Sequence, residues 1–251
     1  MTIWQQLLPG CPDRLAQAAT AALDRVRPQW QKADDLVLLN QAKVLRAFQA
    51  CVVSDIHFAG TTGYAYGDIG RTKIEEVFAH VFGTEAALVR VQFASGTHAI
   101  ACGLFGALKA GDRLIAAAGV PYDTLRTVID GAPGSLTEWG VTYEVVPLQE
   151  DLTVDVAAVA RAAAQPDAKV VFIQRSRGYS LRPSLSPEQI GEIIAAVKAA
   201  NPNVVCVVDN CYGEFTRPNE PSQFGADLVC GSLIKNPGGG IAPTGGYIVG
   251  K

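Results

Sequence analysis

The stretch "SPEQIGEIIAAVKAANPNVVCVVDN" (186–210) reads as one helix followed by one strand, and much of the chain repeats that alternation. Ser186, Pro187 and Gln189 supply an N-cap, a first-turn proline and a capping-box partner, so a helix is expected over 186–200. The run at 203–209 is Val-rich and lacks a clean polar alternation, as expected for a strand buried on both faces. Asp209 stands at its carboxyl end. A carboxylate there is costly unless it meets a cation or strong donors.

Further runs of the same kind are "AALVRV" (86–91), "RLIAAA" (113–118), "YEVVPL" (143–148), "KVVFIQ" (169–174), "ADLVCGS" (226–232) and "GGYIVG" (245–250). Helical patterns fall between several of them, at 97–109, 123–131 and 155–164. Alternating strand and helix predicts an α/β fold, with a mainly parallel sheet covered by helices on both faces. Ahead of it, residues 13–50 read as two helical segments broken by Pro28, so residues 1–50 are expected to form a helical arm and 51–251 the main domain. The stretch "AGTTGYAYGDIGR" (59–71) reads as a loop. Thr72-Lys73-Ile74-Glu75 has capping-box spacing and predicts a helix running to about residue 82.

Bulk properties narrow the function. The chain has 251 residues, 49% of them hydrophobic, and 21 basic against 24 acidic residues give a net charge of −3. No basic patch points to nucleic acid and no acidic tail to disorder. The six cysteines are scattered without a C-x-x-C pair, which fits reduced thiols better than disulfides or a zinc site, so no metal is expected. "MTIWQQLLPGCPDR" (1–14) lacks the features of a signal peptide, and no run of 18 apolar residues exists. A soluble, cytoplasmic protein without a membrane partner is expected.

In open α/β sheets, ligands sit at the carboxyl ends of the strands. "FASGTHAI" (93–100) follows the first strand: a Ser-Gly-Thr turn entering a helix, suited to a phosphate through Gly96 and Thr97, although an ordinary helix start looks the same. "GVPYDTL" (119–125) follows the second and carries Tyr122, either a plate for a planar ligand or a ring packed over the sheet edge. Asp209 is suited to a protonated heterocyclic nitrogen, to an N-cap or to a buried ion pair; a Walker-type metal role needs a G-x-x-x-x-G-K-[ST] loop, which is missing. "GSLIKNPGGG" (231–240) places Lys235 between an apolar pair and a sharp turn, where a partly desolvated amine becomes nucleophilic; a solvated turn lysine is the bland alternative. A phosphate-type turn, an aromatic plate, a carboxylate and a lysine together meet the needs of pyridoxal 5′-phosphate.

With "TGYAYGDIGR", "SGTHAI", "PYDTL", "QRSRGYSLRPSL", "VVDNCYGEF" and "GSLIKNPGGG" in view, the chain from about residue 34 onward resembles the pyridoxal-phosphate-dependent methionine gamma-lyase family, whose members are also called aluminium-resistance proteins. It is similar to cystathionine beta-lyases and the wider Cys/Met-metabolism enzymes. The resemblance implies the large domain of fold type I enzymes, a homodimer or homotetramer, and a carbon–sulfur lyase acting on a sulfur-containing amino acid. It also implies that Lys235 bonds the cofactor aldehyde, Asp209 pairs with the ring nitrogen, and Gly96, Thr97 and Ser232 hold the phosphate. Tyr122 is implied to stack on the ring and assist the leaving group. Tyr66 and Arg71 resemble a tyrosine and an arginine given to a neighbouring subunit's phosphate, at a spacing wider than the usual Tyr-x-Arg. Ile234 stands where those enzymes carry a threonine. The family continues into a C-terminal domain that supplies an arginine for the substrate carboxylate; such a small domain is expected to be absent here, and Arg175, Arg177 and Arg182 lie in a loop at the same edge. Transamination, racemisation or aldol cleavage with the same cofactor, and a non-catalytic cofactor-binding fragment, are the rival readings.

Overall fold

The computed structural model describes residues 3–61 and 66–251. Residues 62–65 of the Gly-Tyr stretch lie outside the described residues. The chain divides into two compact units, Met1–Ala42 and Lys43–Lys251. The first holds α1 (Ile3–Leu7) and most of α2 (Asp13–Ala50). Pro28 does not break α2, contrary to the expectation of two segments. Proline removes one backbone hydrogen bond and crowds one carbonyl, and a long helix tolerates that on an exposed face, where water takes the freed carbonyl.

The second unit holds α3 (Ile69–Phe82), β1 (Ala86–Arg90), α4 (Gly96–Ala107), β2 (Arg113–Ala116), α5 (Asp123–Ile129) and β3 (Thr142–Val145). It continues with α6 (Val156–Ala163), β4 (Ala168–Gln174), α7 (Pro187–Ala200), β5 (Val205–Asp209), β6 (Leu228–Ser232) and β7 (Gly246–Gly250). Helix α3 is capped four residues before the expected Thr72. Asp68 is its N-cap, its Oδ1 accepting from the Arg71 amide at 2.9 Å, while the Thr72 hydroxyl donates to the Asp68 carbonyl. Aspartate satisfies an orphan amide as well as threonine does, so the earlier cap prevails. Helix α7 carries the expected capping box between Ser186 and Gln189.

Seven strands among the described residues form one sheet in the order β1-β7-β6-β5-β4-β2-β3. The five strands from β6 to β3 run parallel. β7 is antiparallel to both β6 and β1, so two reversals leave β1 running the same way as β6. The carboxyl ends of β1, β2, β4, β5 and β6 therefore share one edge, and that direction places the turn into α4 beside the ends of β5 and β6.

Alternate residues of the central strands feed two cores. Val170, Phe172 and Val207 pack with Ile100 and Leu104 of α4 and Leu125 and Ile129 of α5. Val171, Ile173, Cys206 and Val208 pack with Val159 of α6, Ile190 and Val197 of α7 and Val81 and Phe82 of α3. Each such aliphatic side chain contributes about 1.5–3 kcal/mol on burial. This double cover explains why the strands read as continuous apolar runs.

Candidate active site

The turn after β1 is held by its own cap. Ser95 Oγ accepts from the His98 amide at 3.1 Å, and helix geometry gives the amides of Gly96 and Thr97 no intrahelical acceptor. Those two amides and the positive end of a 12-residue helix suit an anion. Gly96 has no room for a side chain unless its neighbours shift: a Cβ would lie 2.9 Å from Ser232 Cβ and 3.0 Å from Cys211 Sγ. The turn is thus seated on the segments that follow β5 and β6.

Thr97 and Tyr122 meet, their hydroxyl oxygens 2.9 Å apart. Tyr122 precedes α5, and its amide donates to Gln174 Oε1 at the end of β4, 3.1 Å away. Burial, then the nearby Asp209 charge, pushes the Tyr122 hydroxyl well above the ordinary phenol range, so it keeps its proton.

Asp209 is buried at the end of β5, between Gln174 of β4 and Cys230 of β6. Its Oδ1 accepts from the Cys211 amide at 3.0 Å. Burial pushes the carboxyl up to about 6, opposed by the Cys211 amide and thiol and by the charges of Arg182 and Lys235. A carboxylate so placed gains from any added cationic donor.

Lys235 follows β6 through Ser232, whose carbonyl accepts from the Lys235 amide and whose Oγ accepts from the Ile234 amide. Lys235 Nζ donates to the Tyr212 hydroxyl at 2.5 Å and lies 4.1 Å from the centre of that ring. Asn236 ties the turn back, its Nδ2 donating to the carbonyls of Glu214 and Tyr212. Tyr212 has φ 68°, a left-handed backbone that a tyrosine rarely adopts.

Gly96, Thr97, Tyr122, Asp209, Ser232 and Lys235 are thus linked through contacts at one edge. Arg71 is ion-paired to Asp68 and shares an apolar cavity of about 620 Å³ with Leu233 and Pro237, which flank the lysine turn. Tyr66 is 94% exposed. Of the loop arginines, Arg177 is exposed. Arg175 and Arg182 are buried and engaged: Arg182 donates to the carbonyls of Gln174, Ser176 and Pro183, and Arg175 to Asn210, Glu220 and Thr216. Their donors are used inside the fold, and Arg175 is ion-paired to Glu220.

Sequence reasoning missed Tyr212, Cys211 and Gln174. Only Cys211 and Tyr212 left a trace, by following Asp209 in "DNCY"; the role of Gln174 depends on its register beside Asp209.

Arranged this way, the edge offers anion donors, an aromatic plate, a buried carboxylate and a primary amine. The methionine gamma-lyase family model matches residues 15–251. The uncharacterized protein YnbB of Bacillus subtilis (strain 168) is 51% identical over 216 residues, covering 84% of this chain and 51% of that protein. A Listeria monocytogenes structure described as involved in aluminium resistance is 50% identical, with a TM-score of 0.90 over 92% of this chain and 58% of its own. A carbon–sulfur lyase involved in aluminium resistance from Clostridium novyi NT is 44% identical, with a TM-score of 0.89 over 95% of this chain and 58% of its own. The chain spans about half the length of the curated relatives it matches. With its mainly parallel sheet and the match running from α2 to the last strand, the chain belongs to the methionine gamma-lyase family.

Proposed function

We propose that this chain is a pyridoxal 5′-phosphate-dependent carbon–sulfur lyase acting on a sulfur-containing amino acid. The observation that carries the reading is the convergence of Gly96, Thr97, Tyr122, Asp209, Ser232 and Lys235 at one sheet edge. The lyase name of the Clostridium novyi relative supports the choice of reaction. When bound, the cofactor supplies an aldehyde that bonds to amines and a ring that draws electron density from the substrate α-carbon.

The residues divide the work. The amides of Gly96 and Thr97, with the hydroxyls of Thr97 and Ser232, bind the phosphate. The Tyr122 ring would cover one face of the cofactor ring. Asp209 would pair with the ring nitrogen, and a protonated nitrogen there would relieve the cost of burying this carboxylate. Lys235 Nζ would hold the cofactor through its aldehyde and, once free, would serve as the general base toward the substrate α-proton. Tyr212 orients Nζ through its hydroxyl. Tyr122, which keeps its proton, gives it to the departing thiolate. Tyr66 and Arg71 are assigned to a neighbouring subunit's phosphate, in a homodimer or homotetramer of a cytoplasmic protein.

Reduction of the cofactor-loaded chain with borohydride tests the assignment. Peptide mapping is expected to find the cofactor mass on Lys235, and thiol and 2-keto acid are expected from one or more sulfur amino acids. Lys235→Ala should lose the label and about 10³-fold or more of the turnover. A label on a different lysine would overturn the site, and retained cofactor without thiol release across a substrate panel would overturn the lyase reading.

A further inference from the structure

Behind the lysine turn lies a cluster of polar side chains that the proposed reaction does not use. Arg175, Asn210, Glu214, Glu220 and Tyr247 are all buried. Arg175 Nη1 donates to Asn210 Oδ1 at 2.6 Å and to Glu220 Oε2 at 3.3 Å. Asn210 Nδ2 donates to Glu220 Oε2 at 3.1 Å and to the Tyr247 hydroxyl oxygen at 3.3 Å. The Tyr247 hydroxyl donates in turn to Glu214 Oε1 at 2.9 Å. Gly231 makes room for this tyrosine, since a Cβ there would lie 2.4 Å from the hydroxyl oxygen.

The charges do not balance if both glutamates are ionised. Glu220 takes the guanidinium, and its Oε1 accepts from the Phe215 amide at 2.8 Å. Glu214 is left with the Tyr247 hydroxyl, and its Oε2 has no hydrogen-bond partner. The groups facing it are Tyr247 from β7, Asp209 and Cys211 at the end of β5, Glu220 from the following loop and Arg175 from the end of β4. The charge of Lys43 in α2 also acts on Glu220. A third buried anion beside Glu220 and Asp209 is strongly disfavoured. Burial, then the Glu220 and Asp209 charges, pushes the Glu214 carboxyl up to about 8, against the pull of its own amide and the Tyr247 hydroxyl.

The cluster reaches the lysine through the backbone. The Glu214 carbonyl accepts from Asn236 Nδ2 at 2.8 Å, and Asn236 directly follows Lys235. The same 212–214 turn carries Tyr212, which receives Lys235 Nζ.

We propose that Glu214 is carried as a neutral acid and is a positioning residue for Lys235: uncharged, it lets the 212–214 turn sit against Tyr247 and grip Asn236, and loss of its proton loosens that grip. The inference rests on Lys235 as the cofactor-bearing residue. A glutamate that ionises near 4.5 when unfolded and near about 8 when folded leaves the folded chain holding one more proton between those values. Stability therefore falls as pH rises through that window and is flat above it.

The cofactor-free chain provides the test. Infrared difference spectroscopy with carbon-13 glutamate is expected to show a protonated carboxylic acid at pH 7 that titrates near pH 8 and is missing in Glu214→Gln. Amide hydrogen exchange of residues 233–240, corrected for intrinsic rates, is expected to rise several-fold above pH 8 in the wild type and to stay level in the Gln variant. A Glu214 already ionised at pH 7 overturns the proposal, and the wild-type titration decides this even if the variant does not fold. An acid band with no change in exchange of the lysine turn overturns the positioning role. Neither readout involves the cofactor, so failure of the Lys235 assignment is seen separately in the borohydride label.

Discussion

Two polar groups meet at the carboxyl edge of the sheet, and they spend their bonding capacity differently. On the open side, the Gly96 and Thr97 amides lack intrahelical acceptors, the Thr97 hydroxyl meets those of Tyr122 and Thr124, and Lys235 points at one exposed phenol. On the sealed side, Arg175 donates to Asn210, Glu220 and Thr216 at once. The sealed cluster holds three chain segments together, whereas the open one has donors and an amine to offer a ligand. The contrast separates residues kept for the architecture from residues available for chemistry, although both are polar and share one edge.

The largest effect expected from breaking this contrast is in the sealed cluster. Arg175→Ala leaves Glu220 and Asn210 buried without their cation, and a loss of about 3–5 kcal/mol is expected in urea unfolding of the cofactor-free chain. On the open side the sign should differ. Asp209→Asn removes a carboxyl that burial raises to about 6. Because the folded carboxyl binds its proton more tightly than the unfolded one, the wild type loses stability as pH rises from about 4 to about 6. The Asn variant should lack that loss and be more stable by about 3 kcal/mol at pH 7, while holding the cofactor more weakly in equilibrium dialysis. A variant that binds the cofactor at wild-type strength would remove Asp209 from the open group.

The smallest effect sharpens the boundary between the two groups. Gly96→Ala meets Ser232 Cβ at 2.9 Å, whereas Gly106→Ala in the same helix meets nothing within 4 Å. A cost of about 1–3 kcal/mol is expected for the first, and a gain of up to about 1 kcal/mol for the second. Thermal unfolding of the two variants side by side measures the difference. Weakened cofactor retention should accompany Gly96→Ala alone.

The local signals were strong wherever one segment sets its own conformation. Ser186 and Gln189 form the capping box that their spacing announces, and the Val-rich runs become strands because helices cover both faces. Local signals misled where two of them competed. Thr72 lost the start of α3 to Asp68, and Pro28 was absorbed into a helix of 38 residues. Nothing local marks Gln174 as the partner of the Tyr122 amide, because 52 residues separate them. The same holds for Tyr247 and Glu214, 33 residues apart.

By itself the sequence determined the alternation of strand and helix, and the turn, aromatic, acid and lysine that sit at strand ends, because periodicity and capping act over a few residues. The tertiary structure decided which of those ends lie side by side, since two antiparallel pairings return β1 to the direction of β6. It also decided which charges are spent and which are free. Ion pairing and desolvation depend on distances across the fold, and neighbours in space at this edge are rarely neighbours in the chain.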